Sequence, residues 1–190
     1  MFFFILRKMH FLFFILAMTL SVLTLNTGGC SAQTQNASLK VYVEQITFNP
    51  DLVLLQETYD LKENSSCWSV WPHTPFCSSG KTRGSGVTSL INQSKIDILK
   101  TTSIYDGYIL YNELCYNNST FHVYNVLIPQ SDRNAILALT ALDNHISDCS
   151  NGTIIIGGDF NCTENPSLDR LCMLTERRPL VVKALKKCYE

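Results

Sequence analysis

At 190 residues the chain has the length of about one domain, since domains run to roughly 100–200 residues. Hydrophobic residues make up 46% and charged residues 16%, a balance that excludes a disordered chain. With 15 basic against 16 acidic side chains the net charge is -1, which excludes a strongly basic nucleic-acid packaging protein but not an enzyme that meets phosphates locally. The 8 cysteines are too sparse for a small disulfide scaffold, and with no C-x-x-C pair they exclude a zinc ribbon.

The N-terminus admits two readings. Arg7 and Lys8 precede an apolar run over residues 11–25 and small residues up to Ala32, the pattern of a secretory signal. The sequons at Asn36, Asn64, Asn92, Asn118, Asn151 and Asn161 fit export, although a chain rich in Ser and Asn produces such triplets by chance. Alternatively, residues 19–25 alternate as a first strand, and Asn26-Thr27-Gly28-Gly29 is the turn after it. Residues 1–17 are then an apolar leader outside a domain of residues 18–190. The readings compete, because cleavage after Ala32 would remove the strand and Asn26.

Further along, Ser38 caps a short helix with Leu39, Tyr42, Val43 and Ile46 on one face. Residues 52–55 form a continuous apolar strand that ends at Gln56-Glu57-Thr58. Residues 64–86 read as a long surface excursion, anchored by Trp68 and Trp71. Strands follow at 87–91, 108–111 and 121–128, then a helix capped by Ser131 or Asp132 and carrying Ile136, Leu139, Leu142 and Ile146. A strand at 153–156 is broken by Gly157-Gly158, and the chain past Leu168-Asp169-Arg170 reads as helical. The order is mixed α and β.

Three strand ends present polar residues: Asn26, Glu57, and Asp159 with Asn161. Residues that follow buried strands collect at a sheet rim, where ligands bind. On extended chain Asp159 and Asn161 share a side, and Phe160 turns into the core. Two carboxylates and two carboxamides make an all-oxygen donor set suited to Mg²⁺. The competing reading is that each is a turn residue, chosen for its backbone behaviour. For Asn26 alone the two stand level.

Leu54-Leu55-Gln56-Glu57-Thr58 and Gly157-Gly158-Asp159-Phe160-Asn161, with the strand-Asn-x-Gly start and Leu168-Asp169-Arg170, resemble the endonuclease/exonuclease/phosphatase superfamily. Within it the chain is most similar to the apurinic-endonuclease-like domain of non-LTR retrotransposons. The resemblance implies an α+β, deoxyribonuclease-I-like fold of four layers, two mixed sheets flanked by helices, with the family's last strands missing. It implies Mg²⁺- or Mn²⁺-dependent phosphodiester cleavage with DNA as substrate. Glu57 and Asn26 would hold the metal, Asp159 would orient or deprotonate the attacking water, and Asn161 would bond the scissile phosphate, with Arg170 as a further substrate contact. The resemblance also implies an intracellular, nuclear protein with no stable membrane role; the alternative is export, or anchoring through residues 1–25.

Two departures favour a rival reading, an inactive remnant of that domain. Leu127 stands where the family carries a phosphate-binding tyrosine, and the family's terminal Ser-Asp-His has no counterpart among His10, His73, His122 and His145. A further alternative is a secreted deoxyribonuclease-like or sphingomyelinase-like phosphodiesterase, supported only by the leader. Arg83, Arg170, Arg177 and Arg178 have solvated surface charge as their default role. Asp143, His145 and Asp148 read as ordinary helix residues, and Cys149, Cys162 and Cys172 as buried free thiols.

Overall fold

The computed structural model describes residues 2–3, 20–29, 33–46, 50–59, 68–82, 84–162 and 178–188. Strands are numbered in chain order: β1 (Phe2–Phe3), β2 (Val22–Asn26), β3 (Leu52–Gln56), β4 (Thr74–Ser78), β5 (Val87–Ile91), β6 (Asp97–Tyr105), β7 (Ile109–Tyr116), β8 (Ser119–Leu127) and β9 (Thr153–Asp159). The helices are α1 (Gln33–Ile46), α2 (Asp132–Ser147) and α3 (Pro179–Lys187).

Two mixed sheets face each other. One has the order β1-β9-β8-β7-β6 and the other β2-β3-β5-β4. Strict alternation along each strand sorts the side chains into layers. Leu52, Leu54, Leu114, Val123 and Ile155 fill the space between the sheets. Val53, Leu55 and Leu90 face the opposite way and pack with Leu39 and Val43 of α1 and with Trp68 and Trp71. Tyr124, Val126 and Ile156 cover the far side of the other sheet, beneath Leu139 and Leu142 of α2 and Val181 and Leu185 of α3. The result is the expected four-layer sandwich. Trp68 and Trp71 are core anchors, so neither is available to stack on a base.

Both sheets contain a parallel pair, β2 with β3 and β8 with β9. Parallel strands end on the same side, so the carboxyl ends of all four lie toward one rim. Of the stretch past Arg170 that reads as helical, Pro179–Lys187 is α3 and residues 171–177 lie outside the described ones, and Ser131 caps α2 by accepting a hydrogen bond from the Asn134 amide at 3.5 Å.

Three expectations need correction. The segment read as a surface excursion contains β4, because Phe76 is drawn between the sheets and packs against β5. Between the strands expected at 87–91 and 108–111 lies one more that was not expected, the edge strand β6 at 97–105, none of whose residues is fully buried. The third concerns Gly157-Gly158, which does not break β9. The strand runs through both to Asp159. A Cβ on Gly157 would stand 2.9 Å from Leu54 Cδ1 of the facing sheet, whereas one on Gly158, at φ +152, would collide with the Val126 carbonyl of the neighbouring strand. The paired glycines are therefore a steric requirement of close approach on two sides.

Phe2–Phe3, from the segment read as a leader, pairs in parallel with Ile155 and Ile156 of β9. Among the described residues no helix is long and apolar enough to cross a membrane.

Gly158→Ala should cost about 3 kcal/mol or more, since backbone rather than a flexible side chain must give way. Gly157→Ala, meeting only the end of Leu54, should cost less; urea denaturation that ranks the two equally would refute the steric account.

Candidate active site

The same alternation that sorts the core places the site. In β2 it points Val22, Thr24 and Asn26 between the sheets, and in β9 it does the same for Ile155, Gly157 and Asp159. Asn26 and Asp159 are the last residues of their strands, so they sit where the inter-sheet space reaches the rim. Glu57 breaks the pattern. Following Val53 and Leu55 it would belong to the outer face, but its φ of +54 turns the chain. A non-glycine residue in the left-handed region carries a strain of order 1–3 kcal/mol, and such residues cluster at functional sites. The Thr27 hydroxyl supports this turn, donating to the Gln56 and Glu57 carbonyls at 3.0 and 3.2 Å.

The outcome is convergence. Asn26 Nδ2 donates to Glu57 Oε1 at 3.0 Å and to Asp159 Oδ2 at 2.6 Å, while Asn26 Oδ1 accepts from the Gly28 amide at 2.9 Å. One carboxamide thus gathers two carboxylates from two different sheets. Their mutual repulsion is offset by the positive end of the Asn26 amide, the position a cation would compete for. The chemistry of this donor set, with two carboxylate oxygens converging on one point at the rim, fits a hard divalent ion such as Mg²⁺ or Mn²⁺. Glu57 would hold it, with Asn26 able to present its oxygen after rotating its carboxamide and the Asp159 carboxylate beside them.

Asn161 is brought to the same place by a different route from the one expected. The chain does not stay extended past Asp159. Asn161 adopts φ +48, its amide donates to Asp159 Oδ1 at 2.9 Å, and its Nδ2 donates to the Ile128 carbonyl at 2.8 Å. Phe160 is buried in the outer core, as expected. Arg170, the remaining expected substrate contact, lies outside the described residues, as do Arg83, Arg177 and Cys172. Leu127 is buried against Val87 and Leu110 and brings no hydroxyl to the rim.

Arg178 is the residue whose role the sequence concealed. Expected as solvated charge, it is only 15% exposed. Its Nε donates to Asp132 Oδ1 at 2.6 Å, Nη1 to the Asn161 carbonyl at 3.1 Å and Nη2 to the Pro129 carbonyl at 2.8 Å. It pins the start of α2 and the Asn161 loop together. A basic pair before a proline carries no sequence signal for this, because the partners lie 17 to 49 residues away.

Asp143 and His145 serve the structure. Asp143 pairs with Lys187 at 2.9 Å, and the His145 ring lies tilted at 57° against Tyr111 and shares a hydrogen bond with the Tyr124 hydroxyl at 2.9 Å. Cys149 and Cys188 carry free thiols, Cys162 is buried and Cys149 half-buried. Burial, aided by Lys100, holds the His145 imidazole below its ordinary range.

The Endonuclease/Exonuclease/phosphatase family model matches residues 23–172. The chain belongs to this family. Over 149 residues it is 28% identical to a Xenopus laevis protein described as the transposon TX1 uncharacterized 149 kDa protein, covering 77% of this chain and 11% of that one. Among solved structures, the AP endonuclease of Archaeoglobus fulgidus superposes with a TM-score of 0.62 at 13% identity, over 88% of this chain and 68% of that one. The AP endonuclease LMAP of Leishmania major gives 0.58 at 18% identity, over 87% and 63%. D. rerio TDP2 complexed with a single-strand DNA product gives 0.55 at 13% identity, over 85% and 64%. The chain therefore spans about a tenth of its transposon relative and about two thirds of these enzymes, and shares with the enzymes the endonuclease/exonuclease/phosphatase fold.

Two predictions follow from these contacts. Arg178→Met should lower stability by roughly 1–3 kcal/mol and speed amide hydrogen exchange at Asn161; unchanged exchange there would remove its role as a pin. For His145, whose folded pKa is depressed, stability is fully present above the unfolded value of about 6.5 and is lost as pH falls from there toward the folded value. Urea midpoints should drop between about pH 7 and pH 5, with a smaller drop in His145→Gln.

Proposed function

We propose that the chain is a divalent-metal-dependent phosphodiesterase domain of transposon-endonuclease type that nicks DNA. The observation that carries this reading is the convergence of Glu57 and Asp159 on Asn26 at the rim of the sandwich. The transposon relative and a structural neighbour solved with single-strand DNA support DNA as the substrate.

Each residue has a role that its position permits. Glu57 and Asn26 would hold a divalent cation. Asp159 orients a water molecule and accepts its proton. Asn161, fixed through one N–H to the Ile128 carbonyl, has a second N–H to offer a phosphate oxygen. A bound Mg²⁺ or Mn²⁺ would supply charge neutralisation at the phosphate and lower the pKa of coordinated water. Phosphoryl transfer is catalysed mainly by positioning and electrostatics, so a rim of fixed oxygen and amide groups is sufficient equipment.

Leu127 favours a second reading, a domain that binds but cleaves slowly. An aliphatic side chain buried between the sheets supplies no donor where the family places its tyrosine hydroxyl. Loss of one transition-state donor costs about 10²–10³ in rate, which leaves activity measurable.

Nicking of supercoiled plasmid by the full chain should require Mg²⁺ or Mn²⁺ and should fall at least about 10²-fold in Asp159→Asn. Glu57→Ala should weaken Mn²⁺ binding. A folded protein that nicks equally with and without Asp159 would refute the proposal, and one that binds Mn²⁺ but nicks about 10²–10³-fold more slowly than an active endonuclease would select the second reading.

A further inference from the structure

The space between the sheets is not uniformly apolar. Gln56 and Asn125 are both essentially fully buried there, one on β3 and the other on β8 of the facing sheet. Gln56 Nε2 donates to Asn125 Oδ1 at 2.8 Å and to the Leu54 carbonyl at 3.0 Å. Asn125 Nδ2 in turn donates across the gap to the Thr88 carbonyl at 3.0 Å and the Leu55 carbonyl at 3.2 Å. Asn125 therefore grips two strands of the opposite sheet through three hydrogen bonds.

Its location is what matters. Gln56 immediately precedes the strained Glu57, and in the sheet register it pairs with Asn26. Asn125 pairs with Gly157, two residues before Asp159 and at the point where Leu54 comes closest. The clamp thus lies one step inside the rim. It joins the strand that carries Glu57 to a strand paired with the one that carries Asp159. Elsewhere the gap is bridged by Asn112 Nδ2 donating to Ser89 Oγ at 3.1 Å and by Ser78 with Ser103 at 2.7 Å, both between strands that hold no candidate site residue.

Buried amides cost desolvation, and an apolar pair of similar volume would fill the gap as well for stability. Hydrogen bonds differ from apolar packing in fixing distance and direction. We propose that Gln56 and Asn125 are positioning residues: their hydrogen bond sets the separation of the two sheets at the rim and thereby the geometry in which Asn26, Glu57 and Asp159 converge. The consequence for cation binding rests on the metal reading of the site given above; the consequence for the Asn26 bridge does not. Asn125 touches none of the three residues in any hydrogen bond described, so its influence runs through Gln56 and the Leu55 and Thr88 carbonyls.

The test uses the full chain with Gln56→Met, Asn125→Leu, the double variant and Ser89→Ala as a control that breaks a remote bridge. Mn²⁺ is the probe, and hydrogen exchange of the Asn26 carboxamide is a second readout that needs neither metal nor activity. Each single variant should weaken Mn²⁺ binding by about tenfold or more, the scale of supporting-contact losses at metal sites. The double variant should lose less than the sum of the two singles, because both remove the same Gln56–Asn125 bond. Exchange at the Asn26 carboxamide should quicken in Asn125→Leu, and Ser89→Ala should change neither quantity.

Wild-type Mn²⁺ affinity in folded Gln56→Met and Asn125→Leu, or strictly additive losses in the double variant, would overturn the clamp. Should a single variant fail to fold, the double variant, which removes both polar partners together, keeps the comparison with Ser89→Ala available. If the wild type itself takes up no Mn²⁺, the metal reading falls, and the clamp is then decided by Asn26 exchange alone: faster in Asn125→Leu sustains it, unchanged overturns it.

Discussion

The separation of the two sheets at one edge of the sandwich governs everything described above. Gly157 permits Leu54 to approach where any larger residue would hold the sheets apart, and Gly158 lets β9 lie against the Val126 backbone without a collision. Only at that spacing can a carboxamide as short as that of Asn26 touch carboxylates carried by both sheets. Close packing fixes such distances because interiors are nearly as dense as molecular crystals and do not stretch to accommodate error.

Around this rim the chain accepts local strain. Glu57 and Asn161 both lie in the left-handed region, which β-strand alternation alone would never have required. Side chains and backbone groups hold each of them. Thr27 grips the carbonyls on either side of the Gln56–Glu57 peptide, and Asp159, Ile128 and Arg178 together fix Asn161. Glu57 and Asn161 depart from strand geometry to join Asn26 and Asp159, with Tyr59 and Arg178 beside them also left-handed, while the strands that deliver them remain regular.

Much of this was readable in the amino-acid order. The apolar run before Gln56 and the cap of α2 announced the elements, and the polar residues at strand ends announced the rim, while the paired glycines misled by reading as a break. Family motifs supplied the layer architecture, which periodicity could not. What escaped was decided by contacts distant in sequence. Phe76 makes a strand out of a turn-rich stretch because it finds an apolar gap to fill, and β6 was not legible as a strand because an edge strand has little to bury. The direction of Glu57 and Asn161 depends on backbone angles that no residue type encodes outside glycine. Arg178 resembled its neighbour Arg177 until its three acceptors were located, and Asn125 was one polar residue in an apolar run.

The bridge at Asn26 joins residues 31 and 133 positions apart. By contrast, β6, β7 and β8 form antiparallel pairs between consecutive strands, the sort of neighbours a chain brings together quickly. Parallel pairs such as β2–β3 and β8–β9 must wait for the intervening helices and for the entropy of closing long loops. A partly folded state built on the β6–β8 meander therefore has no assembled site, however native its hairpins. During synthesis the constellation cannot exist until residues beyond Asp159 have left the ribosome. An assembled constellation at the rim is a certificate that the whole sandwich has closed.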